Sequence, residues 1–258
     1  MKILANDGIS EEGKIALQNA GYTVVTDKVE QVDLAKAVNE DNYEIVLVRS
    51  ATTVRKEVID ACPGLKLIGR GGVGMDNIDV AYARENGRTV INTPASSSQS
   101  VAELVMGQLF SLSRFLPDSF KNMETGDFNA LKKNYAKGIE LRGKTLGIIG
   151  FGRIGQSLAS YALAIGMEVI AVGKNEEECE VELAEIPGFG TPKVKVQVIT
   201  DLEFLLANAD YISIHVPKQA DGSAVIAAAE FAKMKKGVRI ANAARGGVVN
   251  EDDLLVAL

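Results

Sequence analysis

Gly147-Ile148-Ile149-Gly150-Phe151-Gly152-Arg153-Ile154-Gly155 is the stretch on which the reading of this chain turns. An apolar run leads into G-x-G-x-x-G, and the small and apolar residues of 156–164 follow in a helical pattern. Strand, glycine turn and helix, in that order, suit the diphosphate of a dinucleotide. Gly150 permits a tight turn, Gly152 lets backbone come close to phosphate, and Gly155 lets the helix pack on the strand. The helix start offers free N–H groups and a partial positive charge to the anion. The motif alone is weak; its setting between strand and helix gives it weight.

Working outward, the chain reads as two β–α series joined by a polar break. After the glycine turn, strands are predicted over 168–172, 193–200, 211–216 and 238–243. Short helices are predicted over 202–207, ending at 231–234, and over 251–258. Val194, Val196 and Val198 alternate with polar residues, so that strand should have one wet face. Residues 175–192, acidic and then rich in Gly and Pro, read as a surface excursion. Before the turn, strands are predicted over 2–6, 22–26, 44–48, 65–69 and 89–92. Helices alternate with them over 11–20, capped by Ser10, and over 32–39 and 56–61. This alternation predicts an α/β fold with two parallel-sheet domains.

The polar run 93–98 is a candidate hinge, which places one domain at 1–97 and a second at 98–258. Residues 100–116, apolar on several faces and ended by Pro117, predict a long buried helix crossing between domains. Residues 120–138 predict an exposed helix–loop segment at a subunit contact.

Composition narrows the function classes. The 258 residues carry 28 basic and 34 acidic side chains, a net charge of −6, which disfavours a nucleic-acid binder. Cys62 and Cys179 stand far apart and form no metal-ligand cluster, which suits a reducing cytoplasm. Cys179 lies among Glu176, Glu177, Glu178 and Glu180, which disfavour its thiolate. No leader peptide and no apolar run of membrane length is read.

Ligands of open α/β sheets bind beyond the carboxyl ends of the strands. Four polar clusters are predicted there: 49–52, 70–77, 150–155 and 242–247, which together suggest a cleft between two domains. Arg245, followed by Gly246 and Gly247, is the foremost catalytic candidate, because a guanidinium there can clamp a carboxylate and polarise a carbonyl. Gly71, Gly72 and Gly74 either form an anion nest or make an ordinary strand-to-helix turn. His215, the only histidine, stands at a strand end before Pro217 and reads as structural or as a rim of the site. Glu103 reads as a paired helix carboxylate, and 176–178 as a solvated loop.

Three blocks together resemble the D-isomer-specific 2-hydroxyacid dehydrogenase family: 150–155, Ile212-Ser213-Ile214-His215-Val216-Pro217, and Asn242-Ala243-Ala244-Arg245-Gly246-Gly247-Val248-Val249-Asn250-Glu251. Val48-Arg49-Ser50-Ala51-Thr52 and the run from Gly69 to Asp79 extend the match over the whole chain. The resemblance implies a flavodoxin-like substrate domain and a Rossmann-type nucleotide domain. It also implies hydride exchange between NAD and a small anionic 2-hydroxy or 2-oxo acid. The particular match within the family implies 3-phosphoglycerate, oxidised to 3-phosphohydroxypyruvate on the way to serine.

The resemblance also implies residue roles. Arg245 would bind the substrate carboxylate and the reacting oxygen. Arg153 and Ile154 would meet diphosphate by main chain, beside Gly150, Gly152 and Gly155. Val216, Ala243 and Ala244 would line the adenosine and nicotinamide pocket. Gly72, Val73 and Gly74 would offer backbone near carboxylate and nicotinamide, and Arg49, Ser50 and Arg70 would contact the substrate, the two arginines through a phosphate. A homodimer through 100–138 is implied as well.

Two departures stand out. Where the family carries an acidic residue after the second nucleotide-domain strand, this chain reads Val172-Gly173-Lys174. Lys174 cannot accept bonds from ribose hydroxyls but can meet a 2′-phosphate, so NADP stays beside NAD. The family's catalytic glutamate and acid–base histidine lie beyond the arginine block, as do the last strand and the returning helix, and this chain ends before them. The expectation is weak cofactor binding and slow turnover by the chain as given, since general acid–base groups contribute ~10²–10⁴-fold. The alternatives are a sibling enzyme acting on glycerate, glyoxylate or hydroxypyruvate, and a dinucleotide-sensing binding protein without turnover.

Overall fold

Apolar runs such as Ile45-Val46-Leu47-Val48 carry no polar alternation because both faces of their sheet are covered. In the computed structural model, which describes residues 1–124 and 126–258, the chain divides into two compact units, Met1–Ser97 and Ser98–Leu258. The first runs β1 (Lys2–Ala5), α1 (Glu11–Asn19), β2 (Thr23–Val25), α2 (Leu34–Glu40), β3 (Ile45–Val48), α3 (Lys56–Ala61), β4 (Leu67–Arg70), α4 (Val80–Glu85) and β5 (Thr89–Asn92). All its strand pairs are parallel, in the order β2-β1-β3-β4-β5, which is the flavodoxin-like arrangement.

Period-two alternation divides its core between the two faces. Leu4, Val46, Val48, Ile68 and Val90 pack with Leu34, Val38 and Ile59 from the helices. Ile3, Ala5, Val24 and Ile45 form the opposite cluster, with Leu17 against it. Ser10 caps α1 by accepting the Gly13 N–H, as expected. Helix α4, for which no range is predicted above, has six residues and no side-chain cap bond.

The second unit runs α5 (Ser98–Arg114), α6 (Leu116–Asn122), α7 (Phe128–Tyr135), β6 (Thr145–Ile149), α8 (Arg153–Ala164), β7 (Glu168–Val172), β8 (Glu177–Glu182), β9 (Lys193–Ile199), α9 (Leu202–Asn208), β10 (Tyr211–Ile214), α10 (Ala228–Phe231), β11 (Arg239–Asn242) and α11 (Glu251–Ala257). Its sheet order is β11-β10-β6-β7-β9-β8. Counted from β6, the five parallel strands stand 5-4-1-2-3, the doubly wound order in which ligands bind where the winding reverses, beside β6. Ala102, Val105, Met106 and Leu109 of α5 share a core with Leu158, Ala159 and Ala162 of α8. Buried Ser113 closes that core, donating to Leu109 O at 2.6 Å and meeting Tyr211 OH at 2.7 Å.

Three expectations need correction. The second sheet is mixed rather than parallel, because the supposed surface excursion contains β8, antiparallel to β9. Cys179 and Val181 turn inward there, while Glu178 meets Lys195 at 2.7 Å, and Glu180 and Glu182 meet Lys193 at 2.7 and 3.0 Å. Such exposed pairs contribute about 0–1 kcal/mol each, so the alternation, not the charges, sets the register. The long helix ends at Arg114, because Phe115 adopts a left-handed φ of 55°. Pro117 then stands in the first turn of α6 instead of ending α5, since a proline has no N–H to lose there. The exposed segment around 120–138 holds two helices, and Thr125 within it lies outside the described residues.

Candidate functional site

The three glycines of the turn after β6 have different neighbours. Gly150 has φ +96°, and a Cβ on it would lie 2.8 Å from His215 O and from Val216 Cγ1. A Cβ on Gly155 would collide with Gly150 O and press Ile148 Cγ2 at 3.2 Å. Both positions are therefore glycine for reasons internal to the fold. A Cβ on Gly152 would meet nothing within 4 Å, and its backbone is ordinary, with φ −77° and ψ −162°. The fold does not require glycine at 152; an approaching ligand would.

Gly152 is also the N-cap of the 12-residue α8, and no side chain caps that end. The first N–H groups of a helix have no intrahelical partner, so those of Arg153, Ile154 and Gly155 remain for an anion. This fits a dinucleotide diphosphate.

The neighbouring strand ends complete the edge. At β7, Gly173 N donates to Ile199 O at 3.0 Å, and exposed Lys174 follows. At β10, His215 N donates to Ile149 O at 2.7 Å, which ties Val216 beside the glycine turn. His215 Nε2 lies 2.8 Å from Ser213 Oγ, while Nδ1 is buried without a hydrogen-bond partner. Burial pushes the ring down to about 4, so it stays neutral at physiological pH. At β11, Asn242 shapes an Asx turn: its Oδ1 accepts Ala244 N and its Nδ2 donates to Arg245 O, both at 3.0 Å. Arg245 is exposed on that turn and donates to Ala244 O at 2.8 Å. Only β10 stands between β11 and β6, so the strands carrying Arg245 and the glycine turn lie about 10 Å apart. Glu103 accepts from Tyr161 OH at 2.8 Å and from Gln99 at 3.1 Å, the paired role expected of it.

The first unit has its own concavity at the carboxyl edge of its sheet. A cavity of about 890 Å³ is lined by Asp7, Arg49, Arg70, Gly71, Gly72 and Thr93, among others. Arg70 Nε is buried with no partner, and neither Arg49 nor Arg70 forms an ion pair among the described residues. The 49–52 turn is clamped on both sides. Asp7 Oδ2 accepts from Arg49 N at 2.6 Å and Thr52 N at 3.1 Å, and Oδ1 accepts from Thr52 Oγ1 at 2.6 Å. Asn77 Nδ2 donates to Arg49 O at 2.8 Å and Thr52 O at 2.6 Å. Burial disfavours the Asp7 charge, but the bonds from Thr52 and Arg49 outweigh it and hold the carboxyl below its usual range.

The glycine loop after β4 is tied down as well. Gly71 N donates to Val48 O at 2.9 Å and Gly72 N to Thr93 Oγ1 at 2.8 Å. That narrows the expected nest to the N–H groups of Val73 and Gly74. Gly72 has φ +146°, and a Cβ there would run into the Arg70 guanidinium. No role is assigned to Asp7 from the sequence. Its position at the end of β1, on the edge where the ligand-facing loops gather, was the available signal.

Comparison with known proteins accords with this geometry. Residues 106–258 match the family described as D-isomer specific 2-hydroxyacid dehydrogenase, NAD binding domain. A hydroxypyruvate reductase of Thermotoga maritima is 38% identical over 254 residues, covering 98% of this chain and 77% of that protein. A D-3-phosphoglycerate dehydrogenase of Methanocaldococcus jannaschii is 38% identical over 258 residues, all of this chain but 46% of that protein. The chain thus spans about half the length of that relative. The NAD-dependent formate dehydrogenase of Staphylococcus aureus, solved in complex with NAD, superposes with a TM-score of 0.78 at 26% identity, over 100% of this chain and 78% of that one. The chain belongs to the D-isomer-specific 2-hydroxyacid dehydrogenase family, and residues 106–258 constitute its NAD-binding domain.

Proposed function

We propose that the protein acts as a D-3-phosphoglycerate dehydrogenase. The unit 1–97 is the substrate domain and the unit 98–258 the nucleotide domain. The observation that carries the substrate choice is the cavity of about 890 Å³ with two guanidinium groups, Arg49 and Arg70, on its wall. One half-buried carboxylate, Asp7, also lines it, but its oxygens are committed to the 49–52 turn. Such a cavity suits a substrate with a phosphate.

In the nucleotide domain, the N–H groups at the start of α8 hold the diphosphate, with Gly152 giving backbone access. Val216, Ala243 and Ala244 line the pocket. Nicotinamide, when bound, would accept a hydride from C2 of the hydroxy acid, and the hydroxyl proton would pass to water. Arg245 holds the carboxylate and the reacting oxygen, stabilising the charge that grows there. His215, neutral and bonded to Ser213, serves as structure beside the glycine turn and not as the acid. The backbone N–H groups of Val73 and Gly74, with Ser50, complete the substrate side.

The exposed apolar side chains Leu116, Phe120, Met123 and Phe128 support a homodimer formed through this segment. No helix among the described residues is long and apolar enough to cross a membrane, and both cysteines are free, which supports a reducing cytoplasm.

A second reading, hydroxypyruvate reductase, is favoured by the Thermotoga maritima relative, of which this chain covers the larger share. Titration calorimetry separates the two: 3-phosphoglycerate should bind more tightly than D-glycerate, and Arg70→Gln should remove the difference. Reduction of phosphohydroxypyruvate, followed at 340 nm, should lose about 10²–10³-fold in kcat/KM in Arg245→Lys. Equal handling of the phosphorylated and unphosphorylated acids would transfer the assignment to the sibling enzyme.

A further inference from the structure

We infer that Asp7 is a positioning residue of the substrate site: it holds the 49–52 turn in the shape that presents Arg49 to an anion, although its own charge opposes an anion in the same cavity. The inference rests on the substrate-domain reading above and adds to it a residue that acts through another.

The turn makes no backbone–backbone hydrogen bond of its own among the described residues. Two side chains close it instead. Asp7 Oδ2 accepts its first and last N–H groups, from Arg49 at 2.6 Å and Thr52 at 3.1 Å. Asn77 Nδ2 donates to its first and last carbonyls, Arg49 O at 2.8 Å and Thr52 O at 2.6 Å. The N–H groups of exposed Ser50 and Ala51, between these clamps, donate to nothing among the described residues. Those groups and the Arg49 guanidinium are what the turn offers a ligand. The Arg49 stem lies against the glycine loop, since a Cβ on Gly71 would stand 3.5 Å from Arg49 Cγ.

Asp7 is itself locked. Buried Thr52 donates from Oγ1 to Asp7 Oδ1 at 2.6 Å and accepts there from Asn6 Nδ2 at 2.8 Å. Buried Asn6 is fixed in turn to Val29, accepting its N–H at 2.7 Å and donating to its carbonyl at 3.0 Å. Asp7 therefore cannot swing away from the turn without breaking buried bonds. One oxygen that must take two N–H groups at once does so best when it is charged. That accounts for a carboxylate in the wall of a cavity that also carries Arg49 and Arg70, where its charge would repel an anion. Released from Asp7, the turn would have to be ordered at the moment of binding, at a cost in affinity.

The test is binding of 3-phosphoglycerate to the chain by titration calorimetry, with NADH affinity followed by fluorescence. Asp7→Ala should bind 3-phosphoglycerate about tenfold more weakly than wild type and NADH equally well. Loss of the negative charge alone would tighten the anion, so the two roles move affinity in opposite directions. Asp7→Asn, whose amide oxygen still accepts the two N–H groups, should recover binding to within about threefold of wild type. Asp7→Ala combined with Arg49→Gln should bind no more weakly than Arg49→Gln alone, because Asp7 acts through that turn. Asp7→Ala binding as tightly as wild type, losses that add in the double variant, or an equal fall in NADH affinity would each overturn the inference and leave the substrate site standing. If Asp7→Ala does not fold, Thr52→Val decides: it removes one bond to Asp7, a loss of about threefold is expected, and unchanged affinity would overturn the inference. Absence of 3-phosphoglycerate binding by the wild type would overturn the substrate-domain reading, and this inference with it.

Discussion

Alanine at position 152 and alanine at position 155 should fail in opposite ways. The two glycines lie three residues apart in one motif, yet the fold constrains only the second. A Cβ at 155 would come closer than 3.0 Å to Gly150 O, which is backbone, and within 3.2 Å of Ile148 Cγ2. Helix α8 must move off β6 to accept it. Such overpacking costs about 1–3 kcal/mol. For a unit of this size each kcal/mol lowers the melting temperature by about 2–4 °C, so Gly155→Ala should melt about 2–12 °C lower. Gly152→Ala meets open space with unstrained backbone, so its stability should stay within about 0.5 kcal/mol of wild type. Its methyl group would nevertheless occupy the approach to the N–H groups of α8, so nucleotide affinity should fall at least about tenfold. Thermal denaturation followed by circular dichroism gives the first quantity, and NADH fluorescence titration the second. The reasoning is refuted if Gly152→Ala binds NADH as well as wild type, because the open space above residue 152 would then not be where the diphosphate lies.

His215 titrates near 4 when folded and near 6.5 when unfolded, so between those values the unfolded chain binds the extra proton. Its contribution to stability is complete above about pH 6.5 and is lost as the pH falls toward 4, on the order of 3 kcal/mol in all. Urea unfolding of wild type and His215→Gln across pH 4–7 should show a shallower slope for the variant; parallel curves would mean that the ring is accessible to protons. Phe120 is 93% exposed on α6, so Phe120→Glu should leave the melting temperature of the isolated chain unchanged. Under the dimer reading it should shift sedimentation from dimer to monomer, and a wild type that sediments as a monomer at all concentrations would remove that reading.

The sequence was most legible where one local rule sufficed. Strand β5, helix α3 and strand β7 run from 89 to 92, 56 to 61 and 168 to 172, as their apolar patterns and turn residues predict. It was least legible where two signals overlapped. In 177–182 four glutamates conceal the inward alternation of Cys179 and Val181, and only the antiparallel backbone pairing with β9 makes the strand evident. At Phe115 nothing in the residue announces a left-handed turn; it arises because one apolar stretch must serve two helices. The candidate site divides similarly. Arg245 and the glycine turn stand out by residue type, whereas the part played by Asp7 needed the fold, since it acts on a loop 42 residues away in sequence.

By itself, the order of residues determined the α/β rhythm, the glycine turn and the family to which the chain belongs, because each rests on short-range periodicity or on a run of adjacent side chains. Tertiary structure decided which glycines the fold requires and which stand open. It also decided which N–H groups of the 71–74 loop are already bonded and which side chains clamp the 49–52 turn. Those depend on what lies opposite each atom, and partners distant in sequence reach their places only when the sheets form.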